Sequence, residues 1–506
     1  MGGIGLLEKY FQFILLVFLR QYCENYIQIF QSVPQLNYSF MKSRNFIRLT
    51  LFAAAASLAS AETLIYDGAE NGSFYDGSYW GGTVPSSSSD ILFNDTNKEV
   101  LYKIDATSGV TINSLTDNSI TNRTAGENYS PWGKNIIINI GESAFTILND
   151  LTLASNHNYV PFSFSSSSNG VGRVEIGGNI IAKAASDGTE GESLFGNGNL
   201  LQSVTVGGNI ELQNMRLRFN TQNLSVAGTL NYSGGTLNLF YGSGSGEALS
   251  YSFGGINGSN KSIQFGGNPD SKHMLQNSTA TITLTNSGTA RFSGGLKYAA
   301  AGVAENNEFN LVMNGASSGV QYWDDTGSGM TFNNVTVKSG TLNYYSNLGT
   351  SAIYLEGGTL SPASGTNEIA ILKAESIAWD AGKISFNLTE DTAASDKIVL
   401  AYALSKTSFS GAGGMREIEL SADAYDIAAW ITANDNAPIT YTLMEYSSTD
   451  MANSDIVFTQ IDGITIDWNF GDTALTVTLG LVPEPAEAAA ALGAIAAALA
   501  ALRRRK

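Results

Sequence analysis

The chain has 506 residues with 54 glycines but only 9 prolines, and its formal net charge at pH 7 is −18. Binding of nucleic acid needs clustered Lys and Arg, so this charge argues against nucleic acid as a partner. The only cysteine is Cys23, which excludes a disulfide framework and thiol chemistry in the rest of the chain.

A secretory signal peptide is predicted at residues 41–61, beginning at Met41. Basic residues follow this methionine, an apolar stretch covers residues 46–58, and small residues stand at Ala59 and Ala61. This order is that of a signal peptide, so we expect cleavage between Ala61 and Glu62 and export of the chain.

Residues 1–40 precede the predicted signal peptide, although a signal peptide begins at the initiating methionine. We interpret them as a misassigned N-terminal extension, with translation starting at Met41, and a genuine extension is the alternative. The residues before Cys23 lack the small side chains of a lipoprotein cleavage site. We therefore do not expect Cys23 to carry a lipid.

Residues 62–482 are predicted to be rich in β-structure. Gly, Ser, Thr and Asn separate short runs in which polar and apolar residues alternate, as is typical of strands. A short strand, a Gly-Gly or Ser-Gly turn and a second strand recur at 173–181, 203–212, 223–239, 334–343 and 352–360. This recurrence indicates a repeat architecture.

The spacing of the repeats favours a solenoid with loops of variable length. The intervals are 30, 20 and 18 residues, measured from Gly177 to Gly207, Gly208 to Gly228 and Gly340 to Gly358. We predict a right-handed parallel β-helix at 62–364 and a β-rich C-terminal capping region at 365–482, with glycines of positive φ at the corners. A large β-sandwich is the alternative fold.

Several segments resemble bacterial autotransporter-type passenger proteins. Trp80-Gly81-Gly82, Pro85 and 90–93 are similar to their opening segment, and 358–362, 379–386, 395–400 and 440–446 are similar to their closing rungs. The resemblance implies a β-helical surface protein. Autotransporters end in a membrane translocator of many amphipathic strands, whereas this chain ends in a different kind of tail, so we expect no self-export.

Catalytic and metal-binding patterns are scarce. His157 and His273 stand in Asn- or Ser-rich contexts without metal-ligand spacing, so we interpret both as loop residues. The Gly-Gly pairs precede strands rather than helices, which argues against a phosphate or dinucleotide site. We predict no catalytic, cofactor-binding or metal-binding residues, and no cofactor.

Carboxylates still need consideration, because some β-helices cleave polysaccharides with clustered acids. Asp324 and Asp325 stand beside Tyr322 and Trp323, whose rings could stack on a sugar while a carboxylate acts as acid or base. Neighbouring residues of a strand point to opposite faces, so the two acids would share a site only in a loop.

A second group of acids surrounds Trp468. Asp462, Asp467 and Asp472 recur every five residues there, without the nonapeptide repeat of calcium-binding β-helices. We interpret them as solvated turn residues.

The C-terminal segment 483–506 has three parts. They are a motif of Pro483, Glu484 and Pro485, an alanine-rich apolar run at 486–502, and a basic end of Arg503, Arg504, Arg505 and Lys506. As a helix, the run would be about 26 Å long, slightly short of a hydrocarbon core of about 30 Å. The basic end should stay on the cytoplasmic side of a membrane. A soluble alanine-rich helix is the alternative.

This three-part layout resembles the bacterial PEP-CTERM sorting signal. The resemblance implies transient retention in the membrane and release by an exosortase-like membrane protease. We therefore expect an exported, non-enzymatic, adhesive or structural protein of the cell surface or the exopolysaccharide matrix. Its expected partners are that protease, the membrane before processing, and extracellular polysaccharide or surface glycans. A secreted carbohydrate-active β-helix enzyme, either a polysaccharide lyase or a glycoside hydrolase, is the alternative.

Overall fold

The computed structural model describes most of residues 62–482. The described ranges are 61–67, 71–94, 102–118, 136–154, 162–183, 191–240, 244–266, 275–298, 306–325, 330–346, 349–362, 369–407, 414–422 and 424–482, together with 493–495 and 497. The contacts of the chain divide it into two units, Met1–Ala61 and Glu62–Lys506. The account below concerns the second unit.

Short strands make up most of this unit. In chain order they are β1 (Glu62–Ile65), β2 (Asn71–Ser73), β3 (Ser89–Phe93), β4 (Tyr102–Asp105), β5 (Val110–Ile112), β6 (Ser114–Asp117), β7 (Ile136–Gly141), β8 (Ala144–Ile147), β9 (Leu151–Leu153), β10 (Phe162–Ser166), β11 (Val171–Ile176), β12 (Ile180–Lys183), β13 (Gly191–Phe195), β14 (Leu201–Val206), β15 (Ile210–Gln213), β16 (Met215–Phe219), β17 (Thr221–Val226), β18 (Leu230–Tyr232), β19 (Gly235–Phe240), β20 (Gly244–Ser245) and β21 (Ala248–Phe253).

The second half of the unit continues in the same way, and its described elements include an α-helix. The elements are β22 (Ile256–Phe265), β23 (Leu275–Gln276), β24 (Thr279–Leu284), β25 (Thr289–Tyr298), β26 (Glu308–Asn314), β27 (Val320–Asp325), β28 (Asn334–Ser339), β29 (Thr341–Ser346), β30 (Thr350–Leu355), β31 (Thr359–Pro362), β32 (Ile371–Trp379), β33 (Gly382–Asn387), β34 (Lys397–Leu400), β35 (Ala403–Lys406), β36 (Arg416–Ser421), α1 (Ala424–Ala433), β37 (Ile439–Glu445), β38 (Ser448–Thr449), β39 (Val457–Phe458), β40 (Ile464–Phe470) and β41 (Ala474–Leu481).

The strands stack into three parallel sheets, named sheets 1, 2 and 3. Sheet 1 contains β2, β4, β7, β10, β13, β16, β19 and the second halves of β22 and β25. Sheet 2 contains β5, β8, β11, β14, β17, β21, β24, β26, β28, β30, β32, β34 with β35, and β37 with β38. Sheet 3 contains β1, β3, β6, β9, β12, β15, β18, the first halves of β22 and β25, β27, β29, β31, β33, β36 and β39.

From β4 to β25, the turns of the solenoid visit sheets 1, 2 and 3 in that order. The following turns, from β26, alternate between sheets 2 and 3. The register reproduces the predicted intervals, because β11 pairs with β14 at 30 residues, β14 with β17 at 20, and β28 with β30 at 18. The all-β architecture and the parallel β-helix are therefore confirmed. Parallel pairing between successive rungs favours the helix over the β-sandwich, whose sheets are antiparallel.

The core consists of side chains that occupy the same position on successive rungs. One column of sheet 2 is apolar over ten strands: Ile147, Ile176, Val206, Val226, Phe253, Leu284, Met313, Val337, Leu355 and Trp379. Each of these side chains is at most 2% exposed. Full burial of such a side chain contributes about 1.5–3 kcal/mol, so stacking of rungs is the main source of stability.

The glycines at the corners between sheets 2 and 3 do not all have the predicted positive φ. Gly207 does not have a positive φ, in contrast to Gly340 and Gly358 with φ of 77° and 63°. A Cβ atom on Gly207 would lie 2.3 Å from the carbonyl oxygen of Gly177 on the preceding rung. Glycine is required at this corner because the two backbones approach closely, rather than because the chain turns left-handed.

Asparagine side chains connect the rungs at the same corner. The Asp150 carboxylate accepts a hydrogen bond from the backbone N–H of Asn179 at 2.7 Å. The Asn179 amide oxygen accepts one from Asn209 at 2.8 Å, and that of Asn209 accepts one from Thr229 at 2.8 Å. Asn179 and Asn209, which each follow a Gly-Gly pair, therefore satisfy a backbone donor that the turn leaves outside the sheets.

A plug of aromatic residues lies at the N-terminal end of the solenoid. A 3-10 turn, Gly77–Trp80, places the Trp80 ring 4.9 Å from Phe74 and 5.0 Å from Tyr66. Trp80 is 1% exposed, and its indole Nε1 donates to the carbonyl of Ser73 at 2.8 Å. The Trp-Gly-Gly segment thus packs against the first rungs that the structure describes.

Antiparallel pairing appears at the C-terminal end. Parallel rungs extend through β36 and β39, whereas β41 pairs antiparallel with both β37 and β40. Helix α1 packs against this end and buries Ile427 and Ile431.

Candidate functional site

The predicted signal-peptide cleavage site coincides with a structural boundary. Glu62 is exposed and is the first residue of β1, and the two contact units divide between Ala61 and Glu62. Ala59, the sorting motif Pro483–Pro485 and the basic end 503–506 lie outside the described residues.

The structure describes little of the apolar run 486–502. Only 493–495 and 497 are described, and they are helical. Within the described part of the chain, no helix has both the length and the apolar character needed to cross a membrane.

The three acids around Trp468 lie on the surface. His157 and His273 lie outside the described residues. Asp462, Asp467 and Asp472 are exposed, and Asp467 lies within strand β40 rather than in a turn. No group of three or more His, Cys, Asp or Glu side chains that could hold a metal ion occurs among the residues the structure describes.

The pair Asp324 and Asp325 forms the end of β27 rather than a loop. Successive side chains of a strand alternate between faces, so the two carboxylates point in opposite directions. Asp325 lies two residues after Trp323, which is fully buried in the core, so it occupies the inner side of the strand and is 1% exposed. Burial, together with the charge of Asp325, raises the pKa of Tyr344. Asp324 occupies the outward position of the strand and is 4% exposed. The geometry does not bring the two acids into one site.

The two aromatic residues beside these acids also lie on opposite faces of the strand. Trp323 is fully buried, with its ring 4.8 Å from Phe292 and 5.3 Å from Phe332. It is a core residue and cannot stack on a sugar. Tyr322 lies on the outer face of sheet 3, where the guanidinium carbon of Arg291 is 3.6 Å from its ring centroid.

A ladder of polar side chains runs along the outer face of sheet 3. Registers of successive strands align Glu211, Asn231, Asn257, Arg291 and Tyr322 in one column. At about 4.8 Å per strand, the column is about 19 Å long. We name these five residues the polar ladder.

Hydrogen bonds join the rungs of the polar ladder. The side-chain amide NH₂ of Asn231 donates to the Glu211 carboxylate at 2.6 Å. The side-chain amide NH₂ of Asn257 donates to the side-chain amide oxygen of Asn231 at 3.0 Å. The backbone N–H of Arg291 donates to the Asn257 amide oxygen at 2.8 Å. The Arg291 backbone N–H can only donate and the Glu211 carboxylate can only accept. These two groups at the ends of the chain of hydrogen bonds therefore fix which way the side-chain amides of Asn231 and Asn257 point. Each amide NH₂ has a second hydrogen beyond the one used in the ladder.

A surface groove of about 570 Å³ lies where the polar ladder meets the corner between sheets 3 and 1. Its lining is Asn231, Tyr232, Ser233, Asn257, Gly258, Ser259, Lys261, Arg291, Phe292 and Ser293. We name it the Arg291 groove.

A bulge in β22 shapes the Arg291 groove. The register between β22 and β25 shifts between Gly258 and Lys261, and Asn260 in the bulge has a φ of 54°. The Asn260 backbone N–H donates to the Ser293 hydroxyl at 3.1 Å. A Cβ on Gly258 would lie 3.0 Å from the Tyr232 carbonyl oxygen, so the small residue keeps the floor of the groove open.

Two cations face this groove in an otherwise acidic protein. The Lys261 ammonium lies 5.8 Å from the Tyr232 ring centroid, and Arg291 is exposed while its guanidinium stacks on Tyr322. Contact of a cation with the face of an aromatic ring is favourable and holds the side chain in place. Positioned cations, amide N–H donors and aromatic faces together can recognise anionic and hydroxylated ligands.

Sequence reasoning missed the polar ladder and the Arg291 groove. Asn231 and Asn257 are 26 residues apart, and Arg291 follows 34 residues later. Only the register of the rungs makes these residues neighbours. The alternation in 223–239 places Asn231 on an outward position, but no local pattern identifies its neighbours on the next rungs.

Comparison with protein-family models gives no match for this sequence. Comparison with curated proteins gives no significant match either.

Proposed function

We propose that this protein is an exported, non-enzymatic β-solenoid that acts as an adhesive or structural component of the cell surface or the exopolysaccharide matrix. In this proposal the signal peptide 41–61 directs export, and the tail 483–506 retains the chain at the membrane until an exosortase-like protease releases it. Extracellular polysaccharide is the proposed lasting partner.

The polar ladder is the observation that best supports this proposal. A row of hydrogen-bonding groups repeats at the spacing of the strands, about 4.8 Å, along one face of the solenoid. An extended polysaccharide advances by a comparable distance per sugar, so successive rungs can contact successive sugars.

The position of the acids argues against the glycoside hydrolase among the alternatives. Glycoside hydrolysis needs two carboxyl groups that flank one bond. Asp324 and Asp325, the best candidates in the sequence, point to opposite faces of β27.

Incubation of the full chain with a panel of acidic and neutral polysaccharides tests this proposal. We expect the protein to be retained by polysaccharide, with no release of reducing ends or unsaturated products. Turnover abolished by Asp324→Ala or Asp325→Ala, in a variant with wild-type circular dichroism, would contradict the proposal and favour the enzyme. Asp467→Ala, which removes an exposed acid on β40, is the matched control.

A further inference from the structure

We propose that the Arg291 groove binds a polysaccharide strand that carries carboxylate groups, such as a uronate polymer. This inference rests on the proposed function and specifies the chemical class of its polysaccharide partner. Three features of the groove carry the inference, namely its charge, its donors and its direction.

The charge of the groove is opposite to that of the molecule. The chain contains 45 Asp and Glu against 27 Lys and Arg, so a random surface groove would be acidic. The Arg291 groove instead presents Lys261 and Arg291 on neighbouring strands, β22 and β25. The register pairs Lys261 with Gly294, three residues after Arg291, so the two cations flank the corner of the groove and can both contact carboxylate groups of a bound polymer.

The donors of the groove are preorganised. Tyr322 supports the Arg291 guanidinium, and the ladder bonds fix the amides of Asn231 and Asn257. Side chains that are already held in place lose less conformational entropy when a ligand binds. Their remaining amide hydrogens can donate to hydroxyl or carboxylate oxygens of a sugar.

The direction of the ladder gives the binding site polarity. Glu211 occupies one end of the column, three strands before Arg291, and its carboxylate accepts from Asn231. A carboxylate of the ligand is therefore repelled at the Glu211 end and attracted at the Arg291 end. We infer that the polymer lies along the solenoid axis, with an anionic sugar at Arg291 and Lys261.

Titration with polygalacturonate and with its fully methyl-esterified form tests the inference, because methyl esterification removes the carboxylate charge and keeps the same sugar backbone. At low salt, the full chain should bind polygalacturonate at least about tenfold more tightly than the ester, since a charge-assisted contact contributes about 1.5–3 kcal/mol. This preference should decrease as salt is raised, because the cations are accessible to solvent.

Single charge-removing variants test whether Arg291 and Lys261 cause the preference for polygalacturonate. Arg291→Gln and Lys261→Gln should each weaken binding of polygalacturonate about tenfold and leave binding of the ester nearly unchanged. Lys297→Gln is the matched control, since Lys297 is exposed and lies on the same strand as Arg291 but outside the groove. Arg291→Lys, which retains the charge, should keep most of the preference. Circular dichroism of each variant checks that the fold is unchanged.

The outcomes separate this inference from the proposed function. Equal binding of both polymers, or an equal loss in Lys297→Gln and Arg291→Gln, would overturn the inference and leave a polysaccharide-binding solenoid in place. If the wild-type chain binds neither polymer, and does not bind native exopolysaccharide either, both this inference and the proposed function are overturned.

Discussion

At the scale of single residues, Asp396 has a buried carboxyl group that hydrogen-bonds both to the residue before β32 and to the last residue of β33. Its Oδ1 accepts from the Ala370 N–H and its Oδ2 from the Asn387 N–H, both at 2.7 Å. These bonds favour the charged form, but burial disfavours it more strongly and raises the pKa of Asp396 to about 7. The side chain is 1% exposed, so solvent cannot relieve this cost.

The raised pKa of Asp396 makes stability depend on pH. The folded state binds the proton more tightly than the unfolded chain, whose pKa is about 3.8. The stabilisation is therefore complete below about pH 4 and is lost as pH rises through about 7. Urea unfolding of Asp396→Asn should show a smaller decrease of unfolding free energy over this range than wild type. Asp391→Asn, at an exposed neighbouring position, should retain the wild-type profile, and an identical slope in Asp396→Asn would contradict the assignment.

Corner glycines give a second prediction at this scale. Gly207→Ala places a Cβ atom 2.3 Å from the Gly177 carbonyl, so the rungs must separate and the unfolding free energy should fall by about 1–3 kcal/mol. Gly288→Ala is the control, because no atom lies within 4 Å of the added Cβ and φ is not positive. It should be neutral or stabilising by up to about 1 kcal/mol. Equal thermal shifts in the two variants would refute the close-approach explanation.

At the scale of elements, the 3-10 turn Gly77–Trp80 terminates the solenoid at its N-terminal end. Trp80→Ala should lower the stability of this end by about 3–5 kcal/mol, since it removes a buried aromatic side chain. Hydrogen exchange should then increase first in β1–β4. Val84→Ala, at a half-exposed position four residues away, should change stability by less than about 0.5 kcal/mol. Uniform exchange across all rungs of Trp80→Ala would argue against a capping role.

The strands could be predicted from the sequence, but their lateral neighbours could not. Alternation within 173–181 and 203–212 is a local property, and the Gly-Gly pairs mark where each strand ends. Contact between Asn257 and Arg291 depends instead on how many residues the intervening loop contains.

Burial of aromatic residues was equally difficult to predict. Tyr322 and Trp323 are adjacent and chemically similar, yet one lies on the surface beside Arg291 and the other in the core. Alternation along a strand predicts that they differ, but the register of β27 decides which of them faces inward.

At the scale of the whole molecule, the fold and the proposed role are linked by the shape of a solenoid. Each rung contacts mainly its neighbours, so length adds surface without adding a larger core. A long outer face with repeated polar positions suits an extended polymer better than a compact ligand. The acidic remainder of the surface keeps such a protein soluble and limits contact with similar molecules.

Intact-mass measurement of the protein recovered from the exopolysaccharide fraction of producing cells tests this account most directly. We predict a species that begins at Glu62 and ends near Pro483–Pro485, enriched in the polysaccharide fraction over the soluble medium. Covalent glycans would add discrete sugar masses to this value and leave both ends unchanged. Recovery of extracellular protein that retains residues 503–506, or its absence from the polysaccharide fraction, would contradict the account.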